Sequence, residues 1–179
     1  MDHDASDDGL PRWMLRPRQQ RLLGQLLDGG LAPLRGFLGR ADYDSVLATM
    51  HLADGTPCPL PVTLDVDEAF AATLDVGAHV QLCDRHGTPL ARLDLDDIYH
   101  PDHLREARLR YGRMDRRHPA VVELLRHTGT VYLGGRVHDL REPGLGQARR
   151  RAVADPSGVF PGWAYAIEVA GVAGSRLLH

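Results

Sequence analysis

The sequence contains no lysine and no asparagine, so all 21 of its basic residues are arginine. The bias reads as a coding preference, yet it removes whole mechanisms. A Schiff-base lysine, a P-loop lysine and any asparagine-dependent catalytic motif are excluded. N-glycosylation is excluded as well. Cysteine is scarce: Cys58 and Cys83 stand too far apart for a CxxC motif. They read as two reduced thiols rather than a structural disulfide. Serine occurs only at Ser6, Ser45, Ser157 and Ser175, and no GxSxG motif is present. No apolar run approaches the ~18 residues that cross a bilayer. The first nine residues are acidic, unlike a secretory or transit leader. The expectation is a soluble, cytoplasmic protein.

What remains is one domain's worth of chain: 179 residues, 43% hydrophobic, with a formal net charge of -3. Such a length buries a sizeable core without metals or disulfides. Residues 1–11 are expected to be a flexible acidic terminus. Leu22, Leu23, Leu26 and Leu27 predict a helix from Arg18 to Asp28, preceded by Pro17 and stopped by Gly29-Gly30. Residues 31–39 read as a loop, and Asp42 as the cap of a second helix carrying Val46 and Leu47. The period then changes. Leu60, Val62, Leu64 and Val66 alternate as in a strand, after a turn at Asp54-Gly55. Asp67 to Leu74 reads as one or two helical turns. Strands are predicted over 79–83 and 90–95, with Ile98 and Tyr99 extending the second. Helices follow from Pro101 and from Pro119, and a last strand from Val131, bent or bulged at Gly134-Gly135. The pattern predicts an α+β fold: a largely β, barrel-like domain with peripheral helices. Residues 144–179 read as a linker and tail.

Several clusters invite a chemical reading. His100 and His103 are three apart, but Pro101 and Asp102 intervene, and surface or capping roles are favoured over a metal site. Asp94, Asp96 and Asp97 sit at a strand end, where alternation puts Asp94 and Asp96 on one solvent-facing side. Arg105, Arg108, Arg110, Arg113, Arg116 and Arg117 lie in or after one helix. Of these, Arg105, Arg108, Arg113, Arg116 and Arg117 are candidate contacts for an anion or RNA. Asp102, Glu106 and Asp115 dilute that cluster, and a solvated helix face is the competing reading. No catalytic set, metal site or cofactor is identified.

Five blocks taken in order do resemble a known family. Residues 28–38 (DGGLAPLRGFL) resemble the "NGGFSPLxGFM" segment of ATP sulfurylases, the sulfate adenylyltransferases. Residues 42–56 and then 59–66 (PLPVTLDV) continue in register. Residues 97–102 (DIYHPD) resemble "DIYRPDK", and residues 128–137 (TGTVYLGGRV) resemble "TGDVYLGGPV". The similarity runs from about residue 12 to residue 143. Cys58, His100 and Arg136 depart from the family's usual Trp, Arg and Pro.

The resemblance implies the family's N-terminal PUA-like domain, a small pseudo-barrel with helices. In the family, ATP and sulfate bind to the following domain through a "QxRNPxHxxH" motif. That motif requires asparagine, so no catalytic residue is carried over, and the chain is expected to be inactive by itself. Gly29, Gly30, Pro33, Leu34 and Phe37 are candidate docking residues toward a catalytic domain, the implied partner. RNA or nucleotide binding, and a part in an active sulfurylase assembly, are the alternatives. Phe37, Tyr43, Tyr99 and Tyr132 are expected to be core or interface anchors.

Overall fold

The structure, a computed structural model, describes residues 9–111, 119–126 and 128–141. The elements in chain order are β1 (Arg12–Met14), α1 (Pro17–Leu27), β2 (Gly36–Phe37), α2 (Arg40–Thr49), β3 (Leu64–Val66), α3 (Glu68–Ala71), β4 (His79–Cys83), β5 (Pro89–Tyr99), α4 (His103–Tyr111), α5 (Pro119–Arg126) and β6 (Val131–Asp139). Strands run in the order β1-β4-β5-β6-β2, and β3 also pairs with β6. Among the described residues only the β1–β4 pair is parallel.

The two long strands β5 and β6 form the spine. Ala91, Leu93 and Leu95 of β5 point inward, as a period of two requires. Across the core they meet Val62, Leu64, Val66, Val80, Leu82, Val131 and Leu133, all essentially sealed from solvent. Each such side chain contributes roughly 1.5–3 kcal/mol by burial. The far edge of β6 is divided. Residues 131–133 pair with β3, while Gly135 and Arg136 pair with β2. This division rolls the sheet into a pseudo-barrel that does not close among the described residues. A satellite core of Ala107, Val121 and Leu124 holds α4 against α5.

Gly134 and Gly135 permit this packing for a steric reason. A Cβ on Gly135 would lie 2.0 Å from the Asp94 carbonyl oxygen, and one on Gly134 would lie 2.6 Å from Gly39 Cα. The sequence pattern placed a bulge or bend here. The extra residue is instead across the ladder: Leu95 faces Gly135 and Asp97 faces Gly134, leaving Asp96 over.

Other expectations shift as well. The predicted strand over 60–66 shortens to β3, because Pro59 and Pro61 have no N–H to give a ladder. Leu60, Pro61 and Val62 are buried nonetheless. Helix α2 begins at Gly39 as its cap, not at Asp42; Asp42 Oδ1 instead accepts from the Ala53 N–H at 2.9 Å. Helix α4 begins at His103 rather than Pro101, because Asp102 Oδ1 accepts from the N–H groups of Leu104 and Arg105. Strand β1 falls just after the expected terminus, where the pattern assigns no element, and β2 falls within the expected loop over 31–39.

Candidate functional site

A buried carboxylate anchors the helical side of the molecule. Glu106, 1% exposed, sits on α4 one turn before Arg110. It accepts from the Tyr43 hydroxyl at 2.8 Å, from the Tyr132 hydroxyl at 3.0 Å and from the Arg110 guanidinium at 2.7 Å. A carboxylate this deep persists only when its lone pairs are occupied. Tyr43, Tyr99 and Tyr132 pack around it, with ring centroids 5.6–5.8 Å apart. Burial, followed by the Glu106 charge, pushes the Tyr43 and Tyr132 hydroxyls well above the usual phenol range. Both hydroxyls donate to Glu106 and so tie α2 and β6 to α4.

A second polar centre joins β1, α1 and β3. Gln19 is buried and fully engaged. Its Oε1 accepts from the Arg16 N–H at 2.9 Å, tightening the start of α1. Its Nε2 donates to the Asp65 carbonyl at 2.6 Å and to Asp65 Oδ1 at 2.9 Å. Asp65 Oδ2 accepts from the Gly129 N–H at 2.6 Å and pairs with the Arg16 guanidinium. Beside this network opens a cleft of about 420 Å³, walled by Arg16, Arg18, Gln19, Arg21, Asp65 and Thr128. A separate narrow cavity of about 40 Å³ shares Arg18, Gln19, Asp65 and Thr128 with it and is also lined by Glu106, Arg110 and Tyr132.

The residues singled out by sequence fall in different places. Among the docking candidates, Gly30 and Phe37 are buried, Gly29 and Leu34 are half-buried, and Pro33 is exposed. Phe37 pairs with Gly135 and packs in the main core, so the surface of this segment is carried by Pro33 and Leu34. Arg105 is engaged with Asp44 across α2 and α4 at 2.5 Å. Arg108 is exposed on the same helix. Arg113, Arg116 and Arg117 lie outside the described residues. His100 pairs with Glu68 on the surface, and the His103 ring lies tilted against Tyr132, with centroids 5.6 Å apart. No group of side chains suited to a metal ion occurs among the described residues.

Asp94 and Asp96 lie on the same outer side of β5, on either side of buried Leu95. Asp94 is flanked by His79 at 2.9 Å, His138 at 2.7 Å and Arg92 at 3.0 Å. Asp96 is the exposed bulge residue, and Asp97 Oδ2 accepts from the Arg40 N–H at the head of α2. Alternation holds as far as Asp96, which shares the outer side with Asp94, and the bulge resets it from Asp97 onward. Sequence reasoning missed Gln19, Asp65 and the role of Glu106. Two signals were present: the three-residue spacing of Arg16 and Gln19 at a helix start, and the Glu106–Arg110 spacing of four.

The rolled mixed sheet flanked by helices, with a polar cleft at its side, defines a small α+β pseudo-barrel module. The family model described as a PUA-like domain matches residues 2–142, and the chain belongs to that family. It is 39% identical over 141 residues to a sulfate adenylyltransferase of Eremothecium gossypii, covering 79% of this chain and 28% of that protein. It is 41% identical over 130 residues to the sulfate adenylyltransferase of Schizosaccharomyces pombe, covering 72% and 26%. Among solved structures, a hexameric APS kinase from Thiobacillus denitrificans superimposes with a TM-score of 0.57 at 26% identity, over 78% of this chain and 23% of that one. The chain thus spans about a quarter of the length of these relatives, and it corresponds to their N-terminal part.

Proposed function

We propose that the chain is the non-catalytic PUA-like portion of a sulfate adenylyltransferase-type protein, linked to sulfate activation, and that it docks on a catalytic domain of that family. The observation carrying this reading is the extent of the match. Roughly two-fifths identity is sustained over most of this chain, yet it accounts for only 28% of the Eremothecium relative. Within the described residues the polar groups support the same reading. The Glu106 and Asp65 carboxylates are occupied by donors of the fold itself, which suits a scaffold better than a reaction centre. Residues 12–143 form the folding unit in this account. The docking surface centres on exposed Pro33 and half-buried Leu34, which follow the C-terminus of α1.

The test is association with a sulfate adenylyltransferase catalytic chain that lacks its own N-terminal domain, followed by size-exclusion chromatography with light scattering. A stoichiometric complex that Leu34→Asp weakens is the expected result. Failure of the wild-type chain to associate, with both proteins folded by circular dichroism, contradicts the docking role.

A further inference from the structure

We propose that the cleft beside α1 is a binding site for the phosphate chain of a small polyphosphate, clamped by Arg18 and Arg21. Three guanidiniums, those of Arg16, Arg18 and Arg21, and one carboxylate, that of Asp65, wall the cleft. Asp65 is already spoken for: Gln19 donates to Oδ1, while the Gly129 N–H and Arg16 occupy Oδ2. Arg18 and Arg21 have no ion pair or hydrogen bond among the described residues. Two cations are therefore left unmatched in a concavity, on a chain whose net charge is -3. Like charges confined to a cleft raise the local potential and concentrate anions there.

The shape then narrows the ligand. Residues three apart on a helix lie side by side, with about 5–6 Å between Cβ atoms. Two planar guanidiniums at that spacing reach further than one tetrahedral oxyanion and match two successive phosphoryl groups. The cleft volume of about 420 Å³ lies within the range of small-ligand sites, well above that of a lone ion. Gln19 and Asp65 hold each other and hold Arg16, so the floor is rigid before anything binds. Arg18 also lines the neighbouring narrow cavity, whose wall includes Glu106 and Arg110. The inference is independent of the docking role, since it concerns this chain alone with a small anion.

The test is isothermal titration of the purified chain with inorganic pyrophosphate, ATP and orthophosphate at fixed low ionic strength. Three proteins are compared: wild type, Arg18→Gln/Arg21→Gln, and Arg85→Gln/Arg136→Gln as a loss of two exposed cations away from the cleft. Thermal melts establish that both variants fold. The expected result is saturable binding of pyrophosphate and ATP, with orthophosphate weaker. Affinity falls roughly tenfold or more in the Arg18/Arg21 variant and stays unchanged in the Arg85/Arg136 variant. Equal losses in both variants mean a diffuse charge effect and overturn the site. Binding of ATP without pyrophosphate means that the base, not the phosphate chain, is recognised, and overturns it too. No saturation by about 10 mM pyrophosphate is the third contrary result.

Discussion

The hydroxyl of Tyr132 donates to the Glu106 carboxylate at 3.0 Å, joining the last strand to α4 in the sealed interior. Tyr43 donates to the same oxygen from α2 at 2.8 Å, so one carboxylate holds three elements. Removing it strands two phenols and takes a buried carboxylate from Arg110. Glu106→Ala is expected to cost about 3 kcal/mol or more, and Tyr43→Phe about 2 kcal/mol. Urea unfolding of the variants measures both, and a loss under 1 kcal/mol for Glu106→Ala, roughly a surface pair's worth, contradicts this assignment.

Close backbone approach makes the opposite sign of glycine substitution predictable at two sites. Gly36 is expected to reject alanine, because its Cβ would lie 1.9 Å from the Gly135 carbonyl oxygen. Separating β2 from β6 to admit it is expected to cost about 3 kcal/mol. Gly24 lies within α1 with nothing within 4 Å of an added Cβ. Gly24→Ala should stabilise the domain by about 0.5–1 kcal/mol through helix propensity. Paired thermal melts read both signs.

Asp94 supplies a pH-dependent contribution. Burial raises its pKa, but hydrogen bonds from Arg92 and His138 outweigh it, and the net direction is downward. A depressed folded pKa means that this contribution is fully present above the unfolded carboxyl value, near ~3.9, and is lost as pH falls from there through the folded value. Asp94→Asn should therefore narrow the stability difference between about pH 6 and pH 3. Chemical unfolding at both pH values checks it, and an unchanged difference contradicts it.

Cys58 and Cys83 are free and buried, as reduced thiols were expected to be. Burial pushes the Cys58 thiol up to about 12. Neither cysteine should react with iodoacetamide at mildly alkaline pH while the domain is folded, and both should react in denaturant. Mass spectrometry of the native, treated chain reads the outcome.

Much of this architecture was legible because hydrophobic period is a local property. The leucines of α1 and the alternation through Leu90 to Leu95 each specify one face without reference to the rest of the chain. The strands β1 and β2 were not legible, because Arg12–Met14 and Gly36–Phe37 are too short to show a period. They are strands only by virtue of the edges of β4 and β6. The bulge at Asp96 is likewise set from across the sheet, where Gly135 crowds Asp94. The polar centres were hidden for the same reason: Gln19 and Asp65 are 46 residues apart in sequence. Phe37 was correctly read as an anchor, but only its register against Gly135 shows that it faces the core rather than a partner.

The central claim is that the chain is a non-catalytic module. The most direct test is a pyrophosphate-release assay on the purified chain with ATP and sulfate. The account predicts no turnover above background. Turnover that co-elutes with the chain through successive columns and is lost on its immunodepletion would place chemistry in this domain and contradict it.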